Sequence, residues 1–233
     1  MHRYSISEWL TIITQGVWVR AKTARLPEAL GVRDGEGGDK NLPEIRLLIL
    51  GDSAAAGVGV DHQHNALTGQ LVSELQQDFY VHWRLVASSG ITSEVAHNEF
   101  LPDLTNHEFD AAVISLGVND VTRFTSDKDW QKYQLAIWEK LLKEHNIRKL
   151  LITPVPPMEK FFALPNKLAG IFGRRAESLN VLLKQMANSH EKNVTLLDFD
   201  VPTEPEMLAK DGFHPSERTY QLWAKVAAKH LLP

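Results

Sequence analysis

Four short clusters in this 233-residue chain set hydroxyl, carboxamide, carboxylate and imidazole groups beside glycines: Gly51-Asp52-Ser53, Ser89-Gly90, Gly117-Val118-Asn119-Asp120 and Asp211-Gly212-Phe213-His214-Pro215. A serine hydroxyl is a poor nucleophile near neutral pH unless a neighbouring base takes its proton. Of the ten histidines, His214 is the best candidate for that base, because Asp211 stands three residues before it. Over one turn that spacing lets a carboxylate hold one ring nitrogen and leave the other free. Ser53 is then the candidate nucleophile. Each cluster alone has a plainer reading: a turn or helix-cap serine for Gly-Asp-Ser, a surface ion pair for Asp-x-x-His.

The elements around the clusters favour the chemical reading. Leu47-Leu48-Ile49-Leu50 is apolar at every position and stops at Gly51, as a strand buried on both faces does. Further strands are expected at Val81–Ala87, Phe109–Leu116, Lys149–Thr153 and Val194–Leu197, after a first one at Ile45–Leu50. Helices are expected at Asn65–Tyr80 with Leu67, Leu71 and Leu75 on one face, from Thr92 or Ser93 to about Phe100, from Ser126 to His145, at Lys167–Ala187 and from Ser216 to His230 with Leu222 and Val226 on one side. Strand-helix alternation with two-sided apolar strands predicts a three-layer α/β/α sandwich, flavodoxin-like, on a mostly parallel five-stranded sheet. In such a sheet the first three clusters, each following a strand, share the carboxyl edge where open α/β folds bind ligands. Packing requires turns there, but not a hydroxyl, a bare backbone and a carboxamide facing one crevice.

Composition fits one globular domain, with 43% hydrophobic and 23% charged residues. A net charge of -4 without a long basic run argues against nucleic acid as the main partner. The absence of cysteine removes disulfides, thiolate catalysis and Cys-ligated metals. Residues 1–44 are expected as an amphipathic helix over Ser5–Arg20 followed by a long irregular connection, and 45–233 as the main domain. The helix carries Ile6, Trp9, Leu10, Ile12, Ile13, Val17 and Trp18, but Glu8 and Gln15 interrupt it and no small-residue cleavage site follows. It is too short and polar to span a bilayer. It is expected either to pack on the domain surface, or to touch a membrane peripherally or cover the site; with no convincing cleavable signal peptide, a cytoplasmic location is expected.

Taken together, Ser53, Gly90, Asn119 and His214 resemble, in order, the four signature residues of the SGNH hydrolases, also called GDSL-type esterases and lipases. The resemblance runs from about Ile45 to the end. It departs from the usual Gly-Asp-Ser-Leu at Ala54, which leaves the nucleophile intact. The resemblance implies a serine esterase without cofactor or metal, acting on a small-molecule ester through an acyl-enzyme on Ser53. It implies a triad of Ser53, His214 and Asp211, and an oxyanion hole formed by the backbone N–H groups of Ser53 and Gly90 and the side-chain amide of Asn119. Asp52 and Asp120 are expected to brace their turns. Val155-Pro156-Pro157-Met158 with Phe161 and Phe162 is expected either as an apolar wall for a short or medium acyl chain, with Arg123 and Phe124 as the opposite side, or as a loop that only covers the sheet edge. The resemblance equally admits hydrolysis of lysophospholipids, thioesters or O-acetyl sugars.

Other chemistries fit less of the sequence. A Gly-x-Ser-x-Gly elbow fails at Ala55, and a dinucleotide loop from Gly57-Val58-Gly59 fails at His62. His62 and His64 read as a solvated pair. A metal-dependent phosphoesterase using Asp52, Asn119, Asp211 and His214 as ligands leaves Ser53 and Gly90 unexplained. A non-catalytic binding protein leaves the intact set of four unexplained.

Overall fold

The computed structural model describes residues 4–104, 107–190, 192–202 and 204–232. Positions 1–3 and 233, at the outer ends of the two expected segments, lie outside them. Strands are β1 Asp34–Gly37, β2 Glu44–Gly51, β3 Tyr80–Ala87, β4 Ala111–Ser115, β5 Lys149–Ile152 and β6 Val194–Leu196. Helices are α1 Ile6–Lys22, α2 Leu67–Leu75, α3 Ser93–Val95, α4 Val118–Thr122, α5 Asp127–Glu144, α6 Asn166–Ser189 and α7 Glu217–Ala228. The sheet runs β1-β3-β2-β4-β5-β6, parallel throughout except for β1, which lies antiparallel on β3.

Alternation along the central strands divides the core in two. Leu48 and Leu50 of β2, Ala112 and Ile114 of β4, and Leu150 and Ile152 of β5 face Trp130 and Trp138 of α5 and Leu179 and Leu183 of α6. Leu47, Ile49, Ala111, Val113 and Leu151 face the opposite way, onto Leu67, Leu71 and Leu75 of α2 and Tyr220 and Trp223 of α7. The side chains of Leu47 to Leu50 are wholly buried, as two covered faces require.

The expectation of five strands is corrected to six. Asp34-Gly35-Glu36-Gly37 carries no apolar alternation, yet it pairs with Val81 to Arg84. Its glycines serve the pairing: a Cβ on Gly35 would lie 2.6 Å from the Trp83 ring. The stretch read as an irregular connection is also anchored further back. Ala29 N–H donates to Ala56 O, and the buried Gln63 amide donates to the carbonyls of Ala29 and Ala56.

Helix boundaries moved where turns compete. Between Asn65 and Tyr80 the α-helix covers only Leu67–Leu75, after a 3₁₀ turn at Gln63–Asn65. Thr92 does cap α3, through its hydroxyl and the Val95 N–H, but the helix loosens into a π turn at Ala96–Phe100 and a 3₁₀ turn at Leu101–Leu104. Ser126 caps α5 through the Asp129 N–H at 3.1 Å. On α7 the buried face is Tyr220, Trp223, Ala224 and Ala227, whereas Leu222 is exposed and Val226 sits at the rim.

Helix α1 begins with a capping box between Ser5 and Glu8. It lies against α6 through Ile12 and Val19, a Gln15 side chain that accepts the Leu168 N–H at 3.1 Å, and a Glu8–Arg174 ion pair at 2.7 Å. No residue of α1 is buried. No helix among the described residues is long and apolar enough to cross a membrane.

Candidate active site

Register brings the first three clusters together. Gly51, the last residue of β2, is aligned with Ala87 of β3 on one side and Ser115 of β4 on the other. The crossover from β2 to β3 covers one face of the sheet and the next covers the other, so the crevice opens where the chain changes direction. Gly51 is needed at this convergence. A Cβ there would lie 2.5 Å from Ser115 O and 2.6 Å from the Ala55 side chain. The chain then turns tightly: Asp52 N–H donates to Ser115 O at 3.0 Å, and Val58 N–H to Ser53 O at 3.0 Å. The buried Tyr220 hydroxyl, shared between the carbonyls of Ala54 and Val58 at 2.9 and 2.7 Å, clamps this turn to α7.

The fourth cluster folds back onto Ser53. Ala209 N–H donates to His214 O, and Gly212 takes the left-handed φ of +67° that lets the loop reverse. His214 Nε2 stands 2.9 Å from Ser53 Oγ, and His214 Nδ1 stands 2.6 Å from Asp211 Oδ2. The other Asp211 oxygen accepts the backbone N–H groups of Phe213 and His214, each at 3.0 Å. Burial works to raise the Asp211 carboxyl. The bond and charge of His214 and the two backbone donors overcome it and hold Asp211 below its ordinary value. An ionised Asp211 fixes the Nδ1–H tautomer and leaves Nε2 free to accept the serine proton.

Ser53, Gly90 and Asn119 line one side of an open cleft of about 400 Å³, with His214 and Phe213. Among the described residues the backbone N–H groups of Ser53 and Gly90 have no acceptor. Gly90 has φ +84°, and the nearest atom to a Cβ built there is the Arg123 guanidinium at 3.9 Å, so its outer side is open. Asn119 Nδ2 donates to Asp52 Oδ2 at 3.3 Å. Burial is the main cause that pushes the Asp52 carboxyl up to about 6, against the Ala54 N–H that it accepts. Asp120 is raised for the same reason, and it takes both the backbone and hydroxyl hydrogens of Ser93 at 3.0 and 2.9 Å. This ties the Gly90 loop to the Asn119 loop, and Gln134 of α5 extends the tie by donating to Ser93.

On the other side of Ser53 and His214 lies a narrow apolar slot of about 50 Å³. Of the expected wall Val155, Pro156 and Phe161 line it, together with Leu116, Phe199 and Phe213; Pro157 and the buried Met158 are not among the lining residues. Phe162 does not; it is exposed. Asn180 of α6 holds the Val155 backbone by accepting its N–H and donating to its carbonyl, both at 2.8 Å. Arg123 and Phe124 are not an opposing wall. Arg123 donates to Gly90 O at 2.8 Å, and Phe124 turns outward onto Tyr4 and Trp9.

Several contributors carried no signal in the sequence. Glu28 accepts the Ser89 N–H at 2.6 Å, and Arg33 pairs with Glu28 while donating to Ala87 O, so the N-terminal segment props the Gly90 loop. Val19, Arg20, Thr23, Ala24, Arg25 and Leu26 form the far wall of the open cleft. His62 and His64 stack on each other, exposed. No group of three or more His, Asp or Glu among the described residues is arranged to hold a metal ion. Both Asp211 oxygens are already engaged, one by His214 and the other by two backbone N–H groups.

The fold has solved counterparts. TesA aligns with a TM-score of 0.67 at 20% identity, covering 80% of this chain and 97% of that one. The psychrotrophic esterase EstA from Pseudoalteromonas sp., inhibited by monoethylphosphonate, aligns at 0.58 and 19%, covering 80% and 96%. An acetyl xylan esterase from Geobacillus stearothermophilus aligns at 0.59 and 16%, covering 82% and 97%. No curated protein matches the chain. Residues 49–222 match the GDSL-like Lipase/Acylhydrolase family. That stretch runs from the end of β2 into α7 and contains all four clusters, so the chain belongs to this family of ester hydrolases and acylhydrolases.

Proposed function

We propose that the chain is a serine esterase whose nucleophile is Ser53. The observation that carries this reading is the unbroken chain from Asp211 through His214 to Ser53, with links of 2.6 and 2.9 Å. Ser53 Oγ attacks the ester carbonyl carbon while His214 Nε2 takes the hydroxyl proton. The oxyanion that develops is met by the N–H groups of Ser53 and Gly90 and by Asn119 Nδ2. Collapse of the tetrahedral species expels the alcohol, which receives the proton from His214, and leaves an acyl group on Ser53. Water then enters, activated by the same imidazole, and frees the acid. Asp211 stays ionised throughout and stabilises the imidazolium. The slot beside Ser53 suits the acyl group and the open cleft the alcohol, which favours short to medium acyl chains on a larger leaving group. The proposed hydrolase domain is residues 45–233; of the segment before it, Val19, Arg20 and Thr23 to Leu26 wall the cleft and Asp34–Gly37 adds an edge strand to the sheet.

The test is hydrolysis of p-nitrophenyl esters from acetyl to palmitoyl, with and without EDTA, beside Ser53→Ala. The expected result is EDTA-insensitive turnover, fastest at the short end and abolished by the substitution. A lysophospholipid, a thioester and an acetylated sugar assayed alongside distinguish the leaving groups. Turnover that EDTA removes and Ser53→Ala spares would overturn the serine mechanism.

A further inference from the structure

The exposed side of α1 is a large apolar feature that the hydrolase reading leaves unused. Ile6, Leu10, Ile13 and Val17 recur at spacings of four, three and four, which places them on one stripe of the helix. Their exposures are 83%, 60%, 60% and 67%. The opposite side, with Glu8, Ile12, Gln15 and Val19, is the side that meets α6 and the core. Trp9 and Arg20 border the stripe by helical position, and Trp9 is 43% exposed. A contiguous exposed patch of this kind marks an interaction surface.

Charge identifies what it meets. Residues 1–26 hold Arg3, Arg20, Lys22 and Arg25 against the single acid Glu8, a net +3, whereas the whole chain is -4, which leaves -7 on the remainder. Arg20, Lys22 and Arg25 are exposed, and Glu8 is engaged by Arg174. An acidic protein whose first 26 residues are net positive, with Arg20 beside an apolar helical stripe and an indole, is suited to an anionic lipid surface, where apolar side chains enter the acyl boundary and Lys and Arg meet head groups. A second copy of the chain fits less well. Apart from Trp9 and Arg20 the positions around the stripe are Ser7, Thr11, Thr14 and Gly16, so Arg20 has no acid beside the stripe with which to form the charge pairs that set a helix–helix register.

The stripe is continuous with the candidate active site, since Arg20 borders it and also lines the cleft that holds Ser53, Gly90 and Asn119. We propose that α1 docks on an anionic lipid surface and holds the mouth of the Ser53 cleft against it, so that the substrates are esters carried in that surface. The second half of this statement rests on the esterase reading; the docking does not.

The test is flotation of the full chain with vesicles of phosphatidylcholine, with and without phosphatidylglycerol, beside the double variant Leu10→Glu/Ile13→Glu. Neither side chain is buried, so an unchanged unfolding midpoint verifies that the variant folds. Wild type is expected to partition about tenfold more strongly onto the phosphatidylglycerol vesicles, to be released by salt, and to lose binding in the variant. The ratio of vesicle-borne to dissolved ester hydrolysis should fall by about the same factor. Wild type remaining free of both vesicles, binding unaffected by the two glutamates, or a wild-type dimer that the glutamates dissociate would each overturn the proposal. Flotation without any ester turnover would refute the esterase reading and leave the docking standing.

Discussion

Asp52→Asn is expected to raise stability and lower activity at once. The carboxyl is 2% exposed and is pushed up to about 6 from an ordinary 3.8. A carboxyl raised in the folded state contributes stability that is fully present below its unfolded value and is lost as pH rises through the folded one. The two values differ by about two units, so ionising Asp52 costs the fold about 3 kcal/mol between pH ~4 and ~6. Asparagine does not ionise. The stability of the variant relative to wild type should therefore climb by up to that amount over this window and then level off. Activity should move the other way. The new amide can still accept the Ala54 N–H through its oxygen, but its nitrogen then faces Asn119 Nδ2, 3.3 Å from the acceptor it replaces. Two donors cannot bond, so Asn119 rotates and withdraws a hydrogen from the proposed oxyanion position. Loss of one such donor typically lowers kcat by about 10²–10³ with little change in KM. Denaturant unfolding from pH 4 to 8 and steady-state kinetics read the two effects separately. A pH-independent stability difference would refute the burial argument. Undiminished kcat would refute the role given to the Asp52–Asn119 bond.

Three further outcomes follow from the site. Asp211→Asn should lower kcat by about 10⁴, because an amide in place of the carboxylate lets His214 adopt the other tautomer; a loss under tenfold in the p-nitrophenyl ester assay would contradict it. Gly90→Ala meets no steric obstacle, since the nearest atom is 3.9 Å away, but it must adopt φ +84°, so a destabilisation of about 1–2 kcal/mol should accompany a fall in kcat as the N–H moves. Unfolding and kinetics together check this, and a variant with wild-type kcat would remove Gly90 from the oxyanion hole. Tyr220→Phe leaves the carbonyls of Ala54 and Val58 without their shared donor; urea unfolding should show a loss of about 1–3 kcal/mol, and no loss would show that water replaces the hydroxyl.

The two-sided strands were legible because burial on both faces writes itself as an unbroken apolar run, as at Leu47 to Leu50. Strand β1 was not, because its pairing is carried by backbone groups and its glycines make room for Trp83 and Gln76 rather than packing a side chain of their own. Leu222 and Val226 share one side of α7, but the buried face is another, because the core there is filled by two aromatics, Tyr220 and Trp223, whose spacing is as helical as that of the aliphatics. At the site, Ser53, Gly90, Asn119 and the Asp211–His214 pair could be named from clusters that each end a strand or precede a helix. Their supports could not. Glu28, Arg33, Arg123 and Asn180 act through backbone groups distant in the chain, and no local pattern marks a side chain that bonds a remote carbonyl or amide. The same holds for the cleft wall from Val19 to Leu26, which depends on where α1 comes to rest.

The central claim is a covalent acyl group on Ser53, and the most direct measurement is mass spectrometry of enzyme acid-quenched during turnover of p-nitrophenyl butyrate. The expected result is a butyryl increment on the peptide containing Ser53, absent from Ser53→Ala and more abundant in Asn119→Ala if deacylation slows most. Turnover with no increment at any residue, or an increment on a peptide without Ser53, would contradict the account.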